Sequence, residues 1–141
     1  MIVDANILLY AIDETSQFHE PARSWLEEAL NGPRRVGLPW PTLTAFLRIS
    51  THPRAARHPL TPREAWDFIA DWLDASAAWI PLPGPRHAEL FRRLTVDGAL
   101  QGNMVSDAHL AALALEHGVG ICSADSDFAR FGELDWVNPL R

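Results

Sequence analysis

The stretch Asp107-Ala108-His109-Leu110-Ala111-Ala112-Leu113-Ala114-Leu115-Glu116-His117-Gly118-Val119-Gly120-Ile121-Cys122-Ser123 decides the fold class. Its first part has an alanine-leucine body, Ser106 or Asp107 in position to cap the first turn, and His117-Gly118 as a stop, which predicts a helix. Residues 119–123 form a short apolar run ending in a polar residue, which predicts a buried strand. A helix feeding directly into a buried strand is half of a parallel α/β unit.

The same alternation extends in both directions. Residues 1–3 predict a buried strand ending at Asp4, and residues 7–12 a helix or a tight continuation. Residues 19–30 place Ala22, Trp25, Leu26, Ala29 and Leu30 at helical spacing, stopped by Asn31-Gly32-Pro33. Residues 36–39 predict a second strand and 42–50 a short helix. Thr61-Pro62-Arg63-Glu64 is a capping box with proline at the first helical position, followed by an apolar face of Ala65, Phe68, Ile69, Trp72 and Leu73. Residues 78–82 predict a third strand, 86–94 a helix, 96–103 a loop, and 134–137 a fifth strand. The sum is a parallel sheet of four to five strands flanked by helices on both faces. With no repeat, linker or low-complexity segment, the 141 residues predict one domain, 1–141.

Composition narrows the chemistry. All 12 basic residues are arginine. Without lysine there is no Schiff base, no Walker-type phosphate loop and no phospho-receiver lysine. No G-x-S-x-G elbow and no G-x-G-x-x-G turn is present, which removes the serine-hydrolase and dinucleotide motifs. Cys122 is the one cysteine, so an internal disulfide and a multi-cysteine zinc site are excluded, and a cytoplasmic location is expected. The opening Met1-Ile2-Val3-Asp4 has no basic region before an apolar stretch, which predicts no secretory signal, and no apolar run is long enough for a membrane span. Net charge is -6, unevenly spread: residues 29–63 hold no carboxylate but contain Arg34, Arg35, Arg48, Arg54, Arg57 and Arg63. Such asymmetry is a cue for an anionic partner, against the bland alternative of an arginine-rich surface.

Parallel sheets build their sites where strands end. Asp4 follows the first predicted strand and Asp125 the fourth, so both belong on one rim. Asp107 opens the helix leading into the fourth strand, and whether that end reaches the rim depends on strand order. Each aspartate has a plain role: Asp4 and Asp107 as helix caps, Asp125 and Asp127 in Asx-type turns. Gathered at one rim, they repel one another and raise each other's pKa, a cost that a hard divalent cation relieves.

Three motifs carry a family resemblance. Met1-Ile2-Val3-Asp4-Ala5-Asn6, the helix from Val105-Ser106-Asp107 to Ala114, and Cys122-Ser123-Ala124-Asp125-Ser126-Asp127-Phe128 resemble, in order and spacing, the motifs of PIN-domain ribonucleases of the VapC toxin type. The resemblance covers essentially the whole chain. It implies a PIN-like fold and a Mg2+-dependent endoribonuclease (Mn2+ being the alternative ion) that is the toxin of a toxin-antitoxin pair. Asp4 and Asp107 match the principal metal ligands. Asp125 matches the third carboxylate, making a catalytic set of Asp4, Asp107 and Asp125, with Asp127 beside it as a further metal or outer-shell group. Asn6 and Ser123 match small polar residues that orient the carboxylates. Also implied are water attack on phosphorus with 5′-phosphate and 3′-hydroxyl products, an RNA substrate, a VapB-type antitoxin and a toxin homodimer. One departure stands out: Ala45 occupies the place of the family's usual glutamate in Pro41-Thr42-Leu43-Thr44-Ala45-Phe46-Leu47-Arg48. It motivates the alternative of a catalytically weakened PIN-like module that binds RNA or protein. A phosphohydrolase of another fold is a third reading, but Asn6 breaks its Asp-x-Asp nucleophile motif.

Arg48, Arg54 and Arg57 are the candidate RNA-binding residues, since arginine grips phosphate bidentately. His109 lies about 200° around a helix from Asp107 and is not expected to share a metal with it. His117 is expected at its helix end and Cys122 as an inert buried thiol. Trp25, Trp66, Trp72, Trp79 and Trp136 read as core or partner-helix contacts. Trp40 is either a base-stacking residue or, as the favoured reading, a core residue that fixes its loop.

Overall fold

Five strands form one sheet in the order β3-β2-β1-β4-β5, every neighbouring pair parallel. The computed structural model describes residues 1–141. The strands are β1 (Ile2–Val3), β2 (Val36–Gly37), β3 (Ala78–Trp79), β4 (Ile121–Cys122) and β5 (Trp136–Val137). Each predicted strand is present, but reduced to two residues. In the second, Leu38 still donates to the Trp79 carbonyl, while Pro39 has no N–H to pair and instead precedes the next helix. Gly37 is required where it stands: a Cβ there would lie 2.9 Å from Cγ1 of Ile2 across the β1–β2 pair.

Six helices fill the connections: α1 (Ala5–Ile12), α2 (His19–Leu30), α3 (Trp40–Ser50), α4 (Pro62–Asp74), α5 (His87–Asp97) and α6 (Met104–His117). A 3-10 turn spans Ser126–Arg130. The Thr61–Glu64 capping box forms in full, with both reciprocal hydrogen bonds. Gly118 closes α6 in the left-handed region at φ 66°. No helix is long and apolar enough to cross a membrane.

Strand residues alternate between two cores. Val3 and Cys122 join α1 to α4 on one face, around Ile7, Leu8, Leu43, Phe46, Ile69 and Trp72. Ile2 and Ile121 join α6 and the 3-10 turn on the other, around Ala111, Leu113 and Phe128. Phe46 is fully buried and meets Trp72 edge to face at 4.9 Å between ring centroids. Truncating such a ring to alanine costs about 3–5 kcal/mol.

Three boundaries differ from the sequence expectation. Residue 96 is helical, not loop, because α5 runs to Asp97, its last turn closed by Thr95 Oγ1 donating to the Phe91 carbonyl. Next, α6 begins at Met104, so neither Ser106 nor Asp107 is its cap; turn hydrogen bonds from Met104 and Val105 to the Gln101 and Gly102 carbonyls start it instead. Finally, Trp40 is the first residue of α3 and is 44% exposed, so it is not a core residue fixing a loop.

The strand order settles what the sequence left open. The chain moves outward from β1 to β2 and β3, then returns to place β4 on the other side of β1. The switch point therefore lies between the carboxyl ends of β1 and β4. A helix leading into a parallel strand runs opposite to it, so α6 starts at this same rim. Asp4, Asp107 and Asp125 share one edge of the sheet.

Candidate metal centre

Asp4 is fixed by the turn from β1 into α1. Its extended backbone makes it the helix cap, and Oδ1 accepts from the Ala5 N–H at 2.8 Å. Oδ2 accepts from Ser123 Oγ at 2.7 Å and from Asn6 Nδ2 at 3.3 Å. Asn6 also spans the switch point: its Nδ2 donates to Ser123 Oγ at 3.2 Å, and its Oδ1 accepts from the Ala124 N–H at 3.2 Å. Ser123 is completely buried, and its hydroxyl accepts from the Asp125 N–H at 3.0 Å. One hydroxyl and one amide thus tie the ends of β1 and β4 together around the Asp4 carboxylate. Burial raises the Asp4 pKa above the ordinary carboxylate value, partly opposed by these hydrogen bonds.

The other carboxylates converge beside it. Ligand oxygens of Asp107, Asp125 and Asp127 lie within 4.8 Å of one another. Asp107 comes from the first turn of α6, and Asp125 caps the 3-10 turn by accepting from the Asp127 N–H at 2.9 Å. Burial first, then the charges of Asp125, Asp4 and Asp127, push the Asp107 pKa up to about 6. Asp4 is outside the close trio but within its electrostatic reach. Clustered carboxylate oxygens with excess negative charge suit a hard divalent cation, which takes oxygen donors and reverses the repulsion. The donor set therefore fits Mg2+ or Mn2+.

Arg130, which sequence reasoning missed, stands at the edge of this cluster. Its Nε donates to the Asp127 carbonyl at 3.2 Å, its Nη1 contacts Met104 Sδ at 3.0 Å, and its Nη2 lies 3.8 Å from Asp127 Oδ1. The signal was its place three residues after Asp127 in a helical turn. His109 faces away from the cluster, as expected: its Nδ1 lies 3.1 Å from His87 Nε2, and burial lowers its pKa. His117 ends α6, its Nε2 2.8 Å from the Leu82 carbonyl. Cys122 is buried, its thiol pushed up to about 12 by desolvation. Trp72 is core, whereas Trp66 is 45% exposed and is not.

Arg48, Arg54 and Arg57 are exposed, the first in the last turn of α3 and the others in the loop 51–61. None of the six arginines of residues 29–63 makes an ion pair; the ion pairs formed involve Arg23, Arg93 and Arg130. Arg35 instead covers the Trp79 ring at 3.9 Å. Ala45 is half-buried in α3, three residues after Thr42, whose Oγ1 donates to the Val3 carbonyl at 2.8 Å, next to Asp4.

The PIN domain family model matches residues 1–134. The chain is 46% identical over 138 residues to Ribonuclease VapC37 of Mycobacterium tuberculosis, covering 98% of this chain and 96% of that protein. It belongs to the VapC ribonucleases of the PIN-domain family. Ribonuclease VapC43 of the same organism is 41% identical over 99% of this chain and 95% of its own length, and Ribonuclease VapC33 is 36% identical over 100% and 99%. Among solved structures, the VapBC2 complex of Rickettsia felis aligns with a TM-score of 0.67 at 18% identity, covering 97% of this chain and 96% of that one. VapBC-1 of nontypeable Haemophilus influenzae aligns at 0.65 and 14%, covering 99% and 98%. These two show that the VapC fold is shared.

Proposed function

We propose that the protein is a Mg2+-dependent endoribonuclease, one PIN domain over residues 1–141, acting as the toxin of a toxin-antitoxin pair in the cytoplasm. The observation that carries this reading is the acidic rim, with three carboxylates within 4.8 Å of one another and Asp4 beside them. Membership of the VapC ribonucleases supports RNA as the substrate. The solved VapBC complexes support a VapB-type antitoxin as partner, and the family resemblance implies a toxin homodimer; the Rickettsia complex was captured on a fragment of its promoter DNA.

In this reading Asp4, Asp107 and Asp125 hold the ion, with Asp127 beside them. A divalent ion there supplies Lewis acidity, lowering the pKa of water and offsetting charge on phosphate oxygens. The chain's own residues prepare for it. Ser123 and Asn6 hold Asp4 in one orientation, so the carboxylate does not reorganise when the ion binds. The β4 end and the 3-10 turn aim Asp125 and Asp127 at Asp107. Arg48, Arg54 and Arg57 supply the positive charge without which an acidic rim repels RNA.

The alternative, a weakened module that binds RNA or protein without cutting, rests on Ala45 in place of the family's glutamate. Expression of the protein in a host without its antitoxin separates the two. Growth arrest with new RNA ends, both lost in Asp4→Asn, supports the ribonuclease. Arrest that survives Asp4→Asn, or no new RNA ends, supports the module.

A further inference from the structure

A groove of about 790 Å³ lies between α1 and the loop 51–61. One of its lining residues is Asn6, whose side chain bonds Asp4 and Ser123. Its floor includes Leu9, Ile12, Ile49 and Leu60. The two sides differ in charge. Asp13 and Glu14 follow α1, and Arg57 and His58 stand in the loop. The Asp13 carboxylate is anchored by the Thr15 N–H and hydroxyl, which hold its pKa below the ordinary value, with a smaller contribution from Arg57.

We propose that this groove is a nucleobase subsite, holding one unpaired base of the RNA next to the bond cut at the acidic rim. The inference rests on the ribonuclease reading above. Two carboxylates on one side disfavour a phosphodiester inside the groove. A neutral base suits it: apolar faces for the floor, and donors at its edge for the Asp13 and Glu14 carboxylates. The backbone phosphates then lie outside, toward the unpaired arginines. Asn6, shared between the groove lining and the hydrogen bonds of Asp4, places the groove beside the site of chemistry.

The test is a binding cycle. Asp107→Asn keeps the RNA whole, and heptamers of U, C, A and G identify the best-bound strand. That strand is then made with a single abasic site at each position in turn. One abasic position should weaken binding by about tenfold or more, as for loss of a stacked base. Ala55 is exposed and lines the groove, so Ala55→Trp obstructs part of the groove and leaves the core residues unaltered. It should weaken binding of the intact strand and leave the strand already abasic at that position unaffected. Glu14→Gln, at an exposed groove-lining position, serves as a second variant and should show the same coupling in part. Equal penalties on intact and abasic strands would overturn the proposal, as would an absence of any costly abasic position or of heptamer binding. So would an Ala55→Trp variant that binds RNA normally but no longer binds its antitoxin, which would assign the groove to the protein partner. Cleavage of total RNA by the unaltered protein reports on the ribonuclease reading separately.

Discussion

The Ser123 hydroxyl donates to Asp4 Oδ2 at 2.7 Å, joining two residues 119 positions apart in sequence across the switch point of the sheet. The Ser123 Oγ also accepts from the Asp125 N–H. Ser123 therefore sets the relative placement of two candidate ligands from different strands. Ser123→Ala should lower divalent-ion affinity by about 10–100-fold, the usual effect of losing a ligand's supporting hydrogen bond. It should also destabilise the protein by roughly 1–3 kcal/mol by leaving buried partners unsatisfied. Calorimetric titration with Mn2+ and a denaturant melt read the two effects.

Asp107 supplies a pH signature. Its carboxyl has a pKa of about 6 in the ion-free protein, above the ordinary 3.8. A folded-state pKa above the unfolded one means the folded protein binds that proton more tightly. Ionised Asp107 therefore disfavours the ion-free fold above pH 6, and the penalty disappears as pH falls through 6 toward 3.8. Asp107→Asn removes the charge, so the variant should melt at higher temperature than the parent at pH 8 in chelator, with the difference vanishing by about pH 4. Ion affinity of the parent should fall between pH 7 and 5, because protons and cations compete for the same oxygen. A pH-independent difference in melting temperature would contradict the clustering.

Much of this was legible in the sequence, for identifiable reasons. Apolar runs located the three central strands, β1, β2 and β4, because these are buried on both faces. Weaker apolar runs located the partly buried edge strands β3 and β5. The capping box located the start of α4 to the residue because its signal is local. Strand order was not legible: the pairing of Ile2 with both Gly37 and Ile121 joins residues far apart in sequence, and no local pattern encodes it. That is why the position of Asp107 stayed open until the sheet was seen. Its expected capping role also failed, since α6 starts three residues earlier and leaves the carboxylate free to face Asp125 and Asp127. Arg130 was overlooked because its i,i+3 spacing from Asp127 is a weak signal until the turn is known to be helical.

Ala45 offers a gain-of-function test. It lies half-buried one turn after Thr42, which touches the backbone beside Asp4. Ala45→Glu should tighten Mg2+ or Mn2+ binding by adding a carboxylate where the family resemblance implies one. Unchanged affinity by calorimetry would mean that residue 45 does not face the ion.

The unpaired arginines predict a salt effect. Replacing Arg48, Arg54 and Arg57 together with glutamine, in an Asp4→Asn background, should weaken RNA binding and flatten the slope of log affinity against log salt. Three lost phosphate contacts to single-stranded RNA correspond to about two units of slope. Metal affinity should be unaffected. An unchanged slope would remove these arginines from the RNA surface and assign the basic stretch to the antitoxin or the dimer partner.

The most direct test of the central claim is cleavage of RNA by the purified protein with Mg2+, with chelator, and with Asp107→Asn. The account predicts fragments bearing 5′-phosphate ends with Mg2+ alone, and intact RNA in chelator and with the variant. RNA left whole by the Mg2+-loaded protein, or fragments that persist in chelator or with Asp107→Asn, would contradict it.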